Sequence, residues 1–129
     1  MADRYHGLLQ TWRDLLKLHY TTWPESRGDT RSDTHAWSAH PTADLLGVVA
    51  GIQPAAPGYA RVRVAPSLGN LTELDATAVT PAGPVIVSYR VKAQVLTAII
   101  ELPSSLPGEF VWRGGHHPLH AGRNRLELH

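Results

Sequence analysis

The chain contains no cysteine, no long apolar run and almost no net charge, and each absence removes a class of function. Without thiols there is no disulfide framework and no cysteine-ligated metal, although the compartment stays open because many exported bacterial proteins also lack cysteine. A formal net charge of +1 argues against a dedicated polyanion binder, so no nucleic-acid partner is expected. No apolar stretch approaches membrane-spanning length, and the start Met1-Ala2-Asp3-Arg4-Tyr5 has no apolar segment behind a basic one. The sequence therefore reads as a soluble chain with no signal peptide and no membrane partner, its localisation undetermined. Internal repeats and low-complexity segments are absent as well.

What is present is a globular composition, 43% hydrophobic and 18% charged over 129 residues. That leaves room for one ordinary domain, or for a small domain attached to a piece of another. The patterning changes near Gly51. Before it, Leu8, Leu9, Trp12, Leu15 and Leu16 recur at helical spacing behind Asp3, a candidate N-cap, which predicts an amphipathic helix over residues 4–18. A second helix is predicted from Pro41 to Ala50, with Pro41 at its first position, Leu45, Leu46 and Val49 along one side, and Gly51 as C-cap.

After Gly51 the period becomes two. Val62 and Val64 alternate with Arg61 and Arg63, and Leu74, Ala76 and Ala78, then Val85, Val87, Tyr89 and Val91, repeat the pattern. Pro81-Ala82-Gly83-Pro84 reads as a turn, Leu96 to Leu102 as a further strand, and Pro103 to Gly108 as a break. Phe110 to Arg113, Gly114-Gly115 and a terminal segment from Leu119 to Leu128 complete the set. The fold class is thus mainly β, an antiparallel β-sandwich over residues 52–129 preceded by two helices. Two amphipathic helices joined by a long loop cannot bury both apolar faces alone. A packing partner is implied: the sandwich, a second copy in a homo-oligomer, or an upstream helical domain.

The loop between the helices concentrates chemistry. Thr21-Thr22-Trp23-Pro24-Glu25 is followed by Arg31-Ser32-Asp33-Thr34-His35-Ala36-Trp37-Ser38-Ala39-His40-Pro41. Indoles offer flat faces to sugar rings or to apolar packing, Glu25 can take a proton from water, and His35 can hydrogen-bond a hydroxyl or orient a carboxylate. On residue type alone, Glu25 is first a solvated loop carboxylate, His35 is as readily structural as sugar-binding, and Trp23 and Trp37 serve equally as packing residues. His116, His117 and His120 beside Gly114-Gly115 read as an exposed turn, so no metal and no cofactor is expected. Asn70-Leu71-Thr72 matches a glycosylation pattern too short to carry weight.

Taken in order, these motifs resemble the C-terminal end of bacterial alpha-L-rhamnosidases, glycoside hydrolase family 78. The matching residues are Thr21 to Glu25, Arg31 to Pro41, Asp44 to Leu46 and Gly51 to Tyr59, followed by Val62, Val64, Pro66, Leu68 and Gly69. The resemblance implies two parts: residues 1–51 as the closing helices of an (alpha/alpha)6 barrel, and residues 52–129 as the sandwich that follows it. It also implies inverting hydrolysis of terminal alpha-L-rhamnosyl groups, with Glu25 as general base, His35 as a substrate contact, and Trp23 and Trp37 as an apolar wall. Thr34 departs from the pattern, since relatives often carry Cys there.

The general acid and most sugar-binding carboxylates of that family come from earlier barrel loops, which nothing here matches. Asp29 and Asp33 lie in the same loop as Glu25, and nothing places either across a sugar from it. The implied partners are a rhamnosylated glycan or glycoside and a missing upstream barrel. The expectation is half a site, inactive alone. The alternatives are a non-catalytic carbohydrate-binding module and a self-associating accessory module.

Overall fold

The computed structural model describes residues 2–26 and 28–129. The chain opens with α1 (Ala2–Leu8) and α2 (Gln10–Lys17). The single helix expected over residues 4–18 is interrupted at Leu9, whose ψ of −6° departs from helical winding two residues after Gly7, a poor helix former. The side chain of Asp3, the expected N-cap, lies outside the described residues. A Schellman motif ends α2: His19 turns left-handed at φ 62°, its N–H donates to Leu16 O at 3.0 Å, and Tyr20 N–H donates to Leu15 O at 3.2 Å. The chain leaves this cap into the loop that carries the candidate site.

Beyond the loop, a 3-10 turn (Ala36–Ala39) feeds α3 (His40–Asp44), which continues as a π-helical turn (Leu45–Val49). The helix expected from Pro41 to Ala50 is therefore in place but changes its winding midway. Gly51, at φ 77°, ends it as expected.

Eight strands follow: β1 (Ile52–Pro54), β2 (Val62–Val64), β3 (Glu73–Thr80), β4 (Gly83–Lys92), β5 (Val95–Leu102), β6 (Gly108–Trp112), β7 (Gly115–Leu119) and β8 (Gly122–Leu128). They form two four-stranded sheets, ordered β1-β2-β6-β7 and β3-β4-β5-β8. The mainly β fold matches expectation, with one parallel exception: β2 runs beside β6, Val62 opposite Gly108. A Cβ on Gly108 would lie 2.7 Å from Val62 Cγ1, so the missing side chain is what lets the two strands meet. Of the terminal segment expected from Leu119 to Leu128, Leu119 is the last residue of β7, and Gly122–Leu128 form β8 in the other sheet. Gly122, at φ 80°, starts β8 after His120 and Ala121 carry the chain across.

Period-two alternation builds the core. Val85, Val87 and Tyr89 of β4 and Leu96, Ala98, Ile100 and Leu102 of β5 are buried together with Val62, Val64, Phe110 and Leu119 of the other sheet. The β4–β5 hairpin turns at Ala93-Gln94 (φ 50° and 67°) and the β6–β7 hairpin at Arg113-Gly114 (φ 47° and 84°), the paired positive angles of type I′ turns.

Hydrogen bonds join the end of the helical segment to this sandwich. Tyr89, at the centre of β4, donates its hydroxyl to Ala50 O at 2.9 Å, and burial pushes its phenol pKa far up, so it stays a donor. Ala65 N–H donates to Gly51 O at 2.9 Å, Ser67 N–H to Val49 O at 3.1 Å, and Gln53 Nε2 to Gly47 O at 2.6 Å. A Cβ on Gly51 would sit 2.2 Å from the Ala65 carbonyl carbon, so the two backbones approach as closely as only glycine permits. The α1–α2 stripe, by contrast, is not fully covered: Leu8 is 63% and Leu16 57% exposed.

Substituting Gly51→Ala combines a left-handed φ with a backbone collision and should destabilise the chain by about 2 kcal/mol or more. Tyr89→Phe, which leaves a buried carbonyl unpaired, should cost about 1–2 kcal/mol. Urea unfolding followed by circular dichroism measures both, and a Gly51→Ala variant as stable as the parent would refute the close-approach account.

Candidate functional site

The loop is organised by two arms held side by side. Glu25 N–H donates to Ser32 O at 2.9 Å, His35 N–H donates to Trp23 O at 2.8 Å, and the Thr22 hydroxyl donates to Asp33 O at 2.5 Å. Pro24, which joins Trp23 to Glu25 in the first arm, is fully buried. The Thr-Trp-Pro-Glu motif and the Arg-Ser-Asp-Thr-His motif, six or more residues apart in sequence, thereby lie against each other. Indole hydrogen bonds anchor the return arm: Trp12 Nε1 donates to Ser38 O at 2.7 Å, and Trp37 Nε1 donates to Glu25 O at 3.3 Å.

The structure brings the four predicted site residues into this one loop assembly, in distinct environments. Trp23 and His35 line an open, largely apolar concavity of about 340 Å³ together with Thr22, Thr34, Ala36 and Ala39. The His35 ring packs on the Trp37 ring with centroids 4.7 Å apart. Trp37 itself is 64% exposed. Trp23 also borders a second apolar groove of about 290 Å³, formed with Leu9, Trp12, Leu16, Pro41 and Leu45. Neither Glu25 nor Trp37 is among the residues lining the His35 concavity.

Glu25 is engaged by a residue that sequence reasoning did not single out. Arg31 Nε donates to Glu25 Oε2 at 2.9 Å while its Nη2 donates to Oε1, a bidentate clamp. This clamp holds the Glu25 carboxyl below the usual carboxylate range, partial desolvation opposes it, and the nearby His35 adds a smaller attraction. Arg31 belongs to the motif that follows the loop tip, so its membership in that motif was the available signal. The pairing itself needs the two arms in register. Chemically, an ionised carboxylate, a histidine and two indoles can accept a proton from water and contact a polyhydroxylated ring, provided one Glu25 oxygen is freed.

The histidine cluster differs from expectation. His116 and His117 lie within β7 rather than in a turn, and His116 Nδ1 is 3.1 Å from Glu109 Oε2 on β6. An acidic neighbour therefore exists, supplied by cross-strand pairing. This contact is the main reason the Glu109 carboxyl falls below the usual range, against desolvation, with Arg61 and Arg63 contributing. His117 instead approaches the buried Phe110 ring, with centroids 6.5 Å apart. Because β7 sends the adjacent side chains to opposite faces, they do not converge, and among the described residues no group of three His, Cys, Asp or Glu could hold a metal ion.

Comparison with known proteins bears on both halves of the chain. Residues 51–120 match the family profile of the bacterial alpha-L-rhamnosidase C-terminal domain. The chain belongs to this family. Among solved structures, alpha-L-rhamnosidase from Aspergillus terreus superposes with a TM-score of 0.78 at 19% identity, covering 91% of this chain and 15% of its own. The enzyme from Dictyoglumus thermophilum gives 0.74 at 17% identity over 88% of this chain and 17% of its own. The Streptomyces avermitilis enzyme, solved with L-rhamnose, gives 0.66 at 19% identity over 76% of this chain and 12% of its own. At these identities the likeness shows the fold, and 91% coverage is more than the sandwich alone could account for, so it extends into the helical segment. The chain spans less than one fifth of the length of these rhamnosidases. No curated protein sequence matches.

Because the folded-state pKa of Glu25 is depressed, the Arg31 clamp stabilises the loop above the ordinary Glu value of about 4.3, and that contribution is lost as pH falls through the lower folded value. Arg31 stays charged throughout. Apart from any change that the stacked His35 ring imposes on Trp37, the movement of the Trp37 indole N–H NMR signal that follows Glu25, to whose carbonyl it is bonded, should begin only below the ordinary Glu value. In Glu25→Gln that movement should vanish, and a transition centred at or above the ordinary value would contradict the clamp.

Proposed function

We propose that this chain forms one side of an alpha-L-rhamnosidase active site. In this reading residues 1–51 are the closing helices of an (alpha/alpha)6 barrel, residues 52–129 are the sandwich that follows it, and Glu25 is the general base. His35, with Trp23 and Trp37 as aromatic walls, contacts the sugar. The observation that carries the reading is the pairing of the Trp-Pro-Glu and His-Ala-Trp arms, which sets Glu25 within the electrostatic reach of His35 and opens a concavity under His35 and Trp23. Family membership supports a glycoside as the ligand class.

Inversion needs two carboxyl groups, one protonated at the leaving oxygen and one ionised toward water, roughly 6.5–9.5 Å apart across the sugar. Glu25, kept ionised, suits the second role. The acid belongs to the barrel that precedes this segment in the proposal, and the exposed leucines Leu8 and Leu16 are the surface that barrel covers. A second copy of the chain covering the same leucines is the competing use of that face. Exposed Trp37 favours a further reading in which the isolated chain holds a sugar without cleaving it.

The purified 129-residue protein should not turn over an aryl alpha-L-rhamnoside, while L-rhamnose titration should shift the indole N–H signals of Trp23 and Trp37 saturably. Joined in frame to an upstream barrel it should become active, and Glu25→Gln should then lower kcat by about 10²–10⁴-fold. Turnover by the isolated chain that Glu25→Gln abolishes would place the acid within these residues and overturn the half-site reading. Concentration-dependent sedimentation lost on Leu16→Lys would assign the leucine face to self-association instead.

A further inference from the structure

We propose that Arg31 is a gate over Glu25, closing the carboxylate edge that it clamps and having to swing outward before water can use that edge. The inference rests on the reading of Glu25 as the base for its functional meaning, but the closure is geometric. Arg31 reaches both oxygens of one carboxylate, which occupies one lone-pair position on each and closes the edge between them to a bridging water. Its own side chain is 78% exposed while that of Glu25 is 14% exposed, so the guanidinium is the more solvent-facing member of the pair.

The mobile partner is identified by what else is fixed. Glu25 is pinned through its main chain on both sides, its N–H to Ser32 O and its carbonyl to the Trp37 indole. Arg31 hangs from the opposite arm by a long, flexible side chain whose only side-chain hydrogen bonds are the two to Glu25 among the described residues. An ion pair with so exposed a cation is weakly held, because water competes for it and salt screens it. Opening therefore requires rotation of one surface side chain rather than rearrangement of the loop. Of the charged groups that act on Glu25, Arg31 and His35, only Arg31 contacts the carboxylate directly. In the closed state the base is ionised but occupied. In the open state the same carboxylate faces the solvent beside the His35 aromatic pair, with its backbone unmoved. Arg31 is in these terms a positioning residue: it touches the base, not the reacting sugar.

The test is carbodiimide-driven amidation of carboxyl groups on the full chain with glycinamide, read residue by residue by peptide mass spectrometry. Glu25 should label more slowly than Glu73, whose side chain is 77% exposed, and its labelling should accelerate from low to high salt. Arg31→Ala should raise Glu25 labelling roughly threefold to fivefold, the opening expected for an exposed pair, with Glu73 unchanged. Arg31→Lys, which supplies a point charge in place of a fork, should fall between. Wild-type Glu25 labelling as fast as Glu73, or a rate insensitive to both salt and Arg31→Ala, would overturn the gate. The salt series on unaltered protein stands even if the alanine variant disturbs the loop. Failure of the base assignment would look different: labelling would follow the gate, but Glu25→Gln in the barrel-joined protein would leave kcat intact.

Discussion

The close backbone approach at Gly51 is the constraint on which the arrangement depends. A left-handed φ stops the π-helical turn, the absent side chain lets the helical strand of chain lie against Ala65 and Pro66, and the Tyr89 hydroxyl reaches from the middle of the core to cap the freed Ala50 carbonyl. Each part needs the others. Without the approach, the Tyr89 hydroxyl would be a buried donor with no acceptor. Without the tyrosine, the helix end would leave a carbonyl in an apolar interior, where an unmade hydrogen bond costs more than a made one contributes. The sandwich thus holds the end of α3 and its π-helical turn, and those in turn hold the return arm of the site loop.

From that anchor the loop is ordered by backbone pairing rather than by packing. Two arms exchange main-chain hydrogen bonds around a buried proline, and indoles from α2 and from the return arm donate to carbonyls. This explains why a loop of about twenty residues without regular structure can hold four candidate site side chains in one place. It also explains the state of Glu25. Once the arms are in register, an arginine from one and a carboxylate from the other meet across the gap, and their planar groups match as a bidentate pair.

Much of the fold was legible because it rests on period. Alternation marked the strands of the sandwich, and glycine and proline marked its turns, since side-chain direction and φ preference are local properties. The parallel β2–β6 pair was not legible: parallel pairing joins segments more than forty residues apart, and its enabling residue, Gly108, reads in sequence only as the end of a break. Nor was the passage from β7 to β8 in the other sheet legible, because sheet membership is not written in alternation. The histidines of β7 were read as a turn, whereas cross-strand pairing with Glu109 gives His116 an acidic neighbour that sequence distance conceals.

By itself the sequence determined most of the elements, the turn chemistry, the family signature and which residue types meet in the site loop, all of which depend on neighbours within a few positions. Tertiary structure alone decided that Arg31 clamps Glu25, that Trp23 and His35 share a concavity while Glu25 stands outside its lining, and that Tyr89 caps the helix end. Those facts are distances between groups brought together by arm register and sheet packing. Such distances are set by the whole chain's closure and not by any local preference.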